Sequence, residues 1–264
     1  MRTYLLLTAI FGFGFILGGC ASTPRTEGRT YMNGHWDHRT VEADGRSYPY
    51  GVWIPDGWDD RGPGIVFLHG YGECGTDGQK QLTVGLPRSV KEDPESWPFV
   101  VIAPQKPDGA SQWEDHADAV FAALDAVVKE GLVDRGRVAL TGLSQGGHGT
   151  IRIGAMHPER FRAVAPVCGY TARPPEHRTG KAWTDPESAE LDEVSAALAT
   201  VPVWIFHGAR DDVVPPEEAL ILEAAIQRHE GDVQMTMFPL DNHNSWDSAY
   251  TLPEFNRWLI EKTR

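Results

Sequence analysis

Short apolar runs recur along the chain at Ile65–Leu68, Phe99–Ala103, Val138–Thr141, Ala163–Val167, Val203–His207 and Val233–Phe238. Each is nearly free of charge, the pattern of a strand covered on both faces. Between them the period changes. Trp113–Glu130 puts Val120, Leu124, Val127 and Val128 on one helical face. Gly146–Met156, Pro186–Ala199, Pro216–His229 and Glu254–Glu261 read as further helices, and Asp77 as the cap of one running to about Val90. Upstream, Arg39–Ala43 and Arg46–Ile54 flank Asp44-Gly45, a pair suited to a two-residue hairpin turn. There Tyr48, Tyr50, Val52 and Ile54 alternate as on a half-buried strand. Strands alternating with helices predict one α/β domain over residues 38–264, with a mostly parallel sheet covered on both faces. In such sheets, sites lie beyond the carboxyl ends of the strands.

The first residues break this pattern. Arg2 is followed by apolar Leu5–Leu17 and then Leu17-Gly18-Gly19-Cys20. A basic start, a short apolar core and small residues form an export signal, here residues 1–19. Leu-Gly-Gly-Cys resembles a bacterial lipobox, which implies lipid on Cys20 and a membrane anchor. No Asp follows Cys20, so in a cell with two membranes the outer one is the expected address. Residues 20–37 are expected as a flexible tether.

Composition adds exclusions. The 264 residues are 41% apolar and carry net charge −13. An acidic chain with no basic run is a poor partner for nucleic acid. His35-Trp36-Asp37-His38 lacks further ligands and reads as a surface segment, so no metal and no cofactor is expected. Beyond Cys20, only Cys74 and Cys168 remain, and their spacing leaves a disulfide open.

The candidate chemistry centres on VALTGLSQGGHGT, residues 138–150. Gly142-Leu143-Ser144-Gln145-Gly146 has the G-x-S-x-G spacing of a nucleophile elbow between a strand and a helix. Glycines flank the serine where side chains would meet neighbouring backbone. The pentapeptide alone is a weak signal, so its partners decide. For such an elbow they follow in the order Ser, Asp or Glu, His. Only His229 and His243 come after the late strand Val203–His207. His229 ends a helix, whereas His243 follows the last strand at the correct sheet end, so His243 is the expected base. Asp211 and Asp212 both follow His207-Gly208, and Asp211 is preferred as the acid. The amides of Gln145 and Tyr71 are the expected oxyanion donors. His69 is expected to hold the Tyr71 loop, Glu73 to cap the next helix rather than bind substrate, and His207 to be structural.

HGYGECGTDG (69–78), RVALTGLSQGGHGT (137–150), FHGARDDVVP (206–215) and HNSW (243–246) together resemble α/β-hydrolase-fold serine esterases. The resemblance is to the dienelactone-hydrolase-like and phospholipase/carboxylesterase branches, with feruloyl and acetyl-xylan esterases among them. It implies an ester hydrolase with Asp211 as acid, four residues after the histidine of H-G-x-x-D, and Tyr71 as oxyanion donor. Residues 168–202 match no family pattern. Two rivals are a serine peptidase of the same fold, which usually carries a propeller or cap, and a non-catalytic surface lipoprotein that binds a glycan or partner. The aromatic residues Tyr71, Trp113, Tyr170 and Trp246 fall on loops at the catalytic end and are expected to contact substrate, favouring short or aromatic acyl groups.

Overall fold

A computed structural model describes residues 33–59, 61–174 and 182–264. The expected leader, Cys20 and most of the tether lie outside the described residues. The first described element is a hairpin: β1 (Gly34–Ala43) pairs antiparallel with β2 (Arg46–Pro55). Asp44 and Gly45 at its turn have φ of 49° and 71°. These left-handed values match the strand twist, which is why Asp-Gly stands there. β1 begins inside the stretch expected as tether. Gly34–Asp37 pair with Val52–Pro55, so the backbone groups that face β2 are satisfied within the sheet. β2 is also more buried than its alternation predicts, because Tyr50 and Val52 enter one core while Trp53 enters the other.

The sheet has eight strands in the order β1-β2-β4-β3-β5-β6-β7-β8. β2 is antiparallel to β4 (Val100–Pro104). From there β3 (Gly62–Leu68), β5 (Val133–Leu143), β6 (Ala163–Val167), β7 (Val203–Gly208) and β8 (Val233–Phe238) continue in parallel. Adjacent residues in these strands face opposite cores. Val66 and Leu68 pack towards α2 (Ala117–Lys129), α3 (Gln145–Met156), α4 (Ala189–Leu198) and α5 (Glu217–Arg228). Ile65 and Phe67 pack towards α1 (Gly85–Glu92), α6 (Trp246–Tyr250) and α7 (Pro253–Lys262). Both faces are therefore dry, as the unbroken apolar runs require.

Two helices start four or more residues later than the pattern predicts. Asp77 Oδ1 accepts from the amides of Gln79 and Lys80 at 2.8 and 3.2 Å, so it caps a 3₁₀ turn, Lys80–Leu82. Val84 is then extended and α1 starts at Gly85. Trp113–His116 likewise form a 3₁₀ turn ahead of α2. The five-residue α6 is too short for periodicity to disclose. Among the described residues, no helix is long and apolar enough to cross a membrane.

Candidate active site

Ser144 lies between the last residue of β5 and the first of α3, with φ 54° and ψ −116°. A non-glycine residue held there stores about 1–3 kcal/mol of strain, so its neighbours must enforce it. Its amide donates to Val167 O at 2.9 Å and its carbonyl accepts from the His148 amide at 3.0 Å. Gly146 passes so close to β3 that a Cβ would stand 1.9 Å from Leu68 O, which explains the glycine of the elbow. Ser144 Oγ lies 2.9 Å from His243 Nε2, and His243 Nδ1 lies 2.8 Å from Asp211 Oδ2. A carboxylate only accepts, so His243 Nδ1 carries the proton. Nε2 is then free to accept from the serine hydroxyl.

Asp211 is buried and its carboxylate is fully used. Oδ1 accepts from the amides of Val213 and Val214, each at 2.9 Å. Oδ2 accepts from His243 and also faces His207 Nε2 at 3.1 Å. The same nitrogen faces Val214 O at 3.1 Å, so it must be the protonated one. Burial alone would raise this carboxyl, but the donors from His207, His243 and Val214 outweigh it and hold Asp211 well below the usual carboxylate range. His207, expected as merely structural, thus touches the acid directly. Asp212 is exposed, unlike Asp211.

The two amides expected as oxyanion donors both open helical turns. Gln145 opens α3 and Tyr71 opens the 3₁₀ turn Tyr71–Glu73, so neither amide has an acceptor within its own helix. The turn is held from below. Glu73 Oε2 accepts from the Gly70 amide at 3.0 Å, as a cap. His69 Nδ1 donates to Gly70 O at 2.6 Å while Nε2 accepts from the Lys106 amide at 3.1 Å. Burial of that ring pushes its pKa down to about 3, so it stays neutral. Gln105 Nε2 donates to Glu73 O at 2.9 Å, and the buried Lys106 Nζ reaches Cys74 Sγ at 3.2 Å and Ser111 O at 3.0 Å.

These elements border a cleft of about 590 Å³, within the usual range for a small-molecule site. Tyr170 and Trp246 line it, and Trp246 stands edge-on to His243 with ring centroids 5.4 Å apart. Tyr71 lines the mouth and is 69% exposed. Trp113 does not reach the cleft, contrary to expectation. It is buried under the loop, donates from Nε1 to His69 O at 2.9 Å, and packs against Gly149 of α3. A large apolar ring packed edge-on to His69 at 4.8 Å and against Gly149 gains more from burial than from exposure at a rim. Trp183, Gln112 and Val213 line the cleft without having been singled out. Trp183 falls in the stretch with no family pattern, and its neighbours were unknowable from spacing. Cys74 and Cys168 are free thiols, with Cys168 buried behind Asp211 and raised by that burial.

The profile of the prolyl oligopeptidase family matches residues 110–261. That span holds Ser144, Asp211 and His243. Acylamino-acid-releasing enzyme 2 of Oryza sativa subsp. japonica is 29% identical over 147 residues, 47% of this chain and 19% of that protein. The chain spans less than a fifth of the length of the curated relatives it matches. Among solved structures, a thermostable esterase is 28% identical with a TM-score of 0.69, covering 87% of this chain and 63% of the other. A ferulic acid esterase at 17% identity shares the fold, with a TM-score of 0.62 over 88% of this chain and 98% of the other. The eight-stranded, mostly parallel sheet is that of the α/β-hydrolase fold. By its sequence profile, the chain belongs to the prolyl oligopeptidase family of hydrolases.

Proposed function

We propose that this protein is a serine carboxylic-ester hydrolase acting through an acyl-enzyme on short or flat aromatic acyl groups. The observation that carries this reading is the unbroken hydrogen-bonded chain from Ser144 Oγ through His243 to Asp211 at the edge of the cleft. Ser144 Oγ attacks the ester carbonyl carbon as its proton passes to His243 Nε2. The negative charge growing on the carbonyl oxygen meets the amides of Tyr71 and Gln145. His243 then gives the proton to the leaving alcohol as the C–O bond breaks, leaving Ser144 acylated. Water attacks the acyl-enzyme by the same route and releases the acid. Asp211 stays ionised throughout, orienting the imidazole and stabilising its charged form.

The acyl preference rests on the walls. Tyr170, Trp183 and Trp246 offer flat aromatic surface, which suits planar acyl groups. Among the described residues of the lining, the aliphatic side chains are Leu143, Pro174, Val213 and Val214, a short apolar wall for a long chain, and each CH₂ left in water forgoes about 0.8 kcal/mol. Similarity to a thermostable esterase supports ester cleavage. The family profile and the acylamino-acid-releasing relative support a second reading, cleavage of blocked peptides by the same groups.

A fluorophosphonate probe is expected to label the protein, and Ser144→Ala is expected to abolish labelling and lower kcat by about 10⁴-fold or more. Labelling that survives in Ser144→Ala would overturn the nucleophile. kcat/KM is expected to be higher on p-nitrophenyl acetate and methyl ferulate than on p-nitrophenyl palmitate. A steady rise with acyl length would point to a lipase instead. Preference for N-acetyl-alanine p-nitroanilide over these esters would favour the peptidase.

A further inference from the structure

Glu218 is an acidic residue in the first turn of α5, where a solvated side chain facing the helix dipole is the ordinary arrangement. Here it is buried, at 1% exposure, and it accepts from the chain on both sides of residues 175–181. Oε1 accepts from the amides of Trp183 and Thr184, the latter at 2.9 Å. Oε2 accepts from the Thr184 hydroxyl at 2.6 Å and from the Thr171 amide at 3.4 Å. Thr184 Oγ1 in turn accepts from the Ala172 amide at 2.9 Å. One carboxylate thus joins 170–172 to 183–184. The rings carried by those two stretches, Tyr170 and Trp183, meet edge-to-face at 5.0 Å and both line the cleft beside Ser144.

We infer that Glu218 is a specificity-determining positioning residue: through Thr171, Trp183 and Thr184 it sets the aromatic wall that receives the acyl group. The inference rests on the serine-hydrolase reading above. Glu218 touches no reacting atom. It sits in the first turn of α5, directly after the β7–α5 connection that carries Asp211, so the acid and the substrate wall are referenced to neighbouring parts of one segment. No shorter or neutral side chain reproduces the arrangement. A glutamine would turn its NH₂ donors towards amides and a hydroxyl that already donate. An aspartate would not span the distance.

The test compares p-nitrophenyl acetate with p-nitrophenyl benzoate, which share a leaving group. In Glu218→Gln, kcat/KM on the benzoate is expected to fall about 10-fold, mainly through KM, against about 2-fold on the acetate. Trp183→Ala is expected to show the same benzoate-selective rise in KM. Should Glu218→Gln not fold, Thr184→Val removes one donor from Oε2 and is expected to move the benzoate-to-acetate ratio in the same direction by about 3-fold. Equal losses on both esters, or losses confined to kcat, would overturn the inference while leaving the hydrolase intact. Absence of fluorophosphonate labelling in the wild type would instead sink the underlying reading.

Discussion

At the scale of single residues, the site is a problem in proton placement. Asp211 receives four donors, and each constrains which proton sits where. His243 must present a bare Nε2 to Ser144, and only an acceptor on Nδ1 enforces that tautomer. Asp211→Asn is therefore expected to lower kcat/KM by about 10³–10⁴-fold, since an amide NH₂ facing Nδ1 selects the wrong tautomer. Asp212→Asn is expected to change it less than about 3-fold, because that side chain is exposed and outside the network. Initial rates of the two variants on one activated ester decide the matter, and the reverse ranking would reassign the acid.

At the scale of elements, the strand–elbow–helix joint shows how closely backbones approach. Gly146 and Gly72 are both glycines of the candidate site, yet their surroundings are opposite. A Cβ on Gly146 would collide with Leu68 O at 1.9 Å, whereas one on Gly72 would meet nothing within 4 Å. Backbone cannot rotate aside as a side chain can. Gly146→Ala is thus expected to cost about 3 kcal/mol or more, lowering Tm by about 6–12 °C for a domain of this size. Gly72→Ala is expected to stay within about 0.5 kcal/mol of wild type. Thermal denaturation of the pair tests the elbow geometry independently of activity. Equal Tm values for the two variants would contradict the close approach of α3 to β3.

At the scale of the whole molecule, buried ionisable groups couple the fold to pH. His69 is buried and its pKa is lowered to about 3, while in the unfolded chain an imidazole titrates near 6.5. Between these values the unfolded chain binds one more proton than the folded one at this site. Stability from His69 is therefore complete above pH 6.5 and falls as pH drops, by up to about 1.4 kcal/mol per unit. Asp211 acts in a different window. Its folded pKa is depressed, so its contribution is present above about 3.9 and is lost only below that. His69→Gln keeps one donor and one acceptor but does not titrate. Between pH 6.5 and 4.5 its Tm is expected to fall less steeply than that of wild type. Parallel Tm–pH curves would show that His69 is accessible to protons in the native state.

Much of this was readable along the chain, for a definite reason. The buried parallel strands, the Asp44-Gly45 hairpin and the strand–Ser144–helix joint depend on residues a few positions apart. Periodicity and turn chemistry report them directly. The residues brought together around Ser144 could also be anticipated, because the fold requires its loops to converge at one sheet end. The chain order of the strands then sets the order in which those loops deliver Ser144, Asp211 and His243. Contacts set by packing across long separations were not readable. Trp113 turned inward beneath the Tyr71 loop, β1 extended back to Gly34 by pairing with β2, and α6 arose in five residues. His207 on Asp211, and Glu218 on Thr171 and Thr184, pair groups whose side-chain directions no local rule specifies. Local pattern was enough for the buried strands, most of the helices, their order along the chain and the end of the sheet where chemistry would gather. Which buried polar groups satisfy one another emerged from the folded packing alone, because that choice depends on desolvation and on partners far away in the chain.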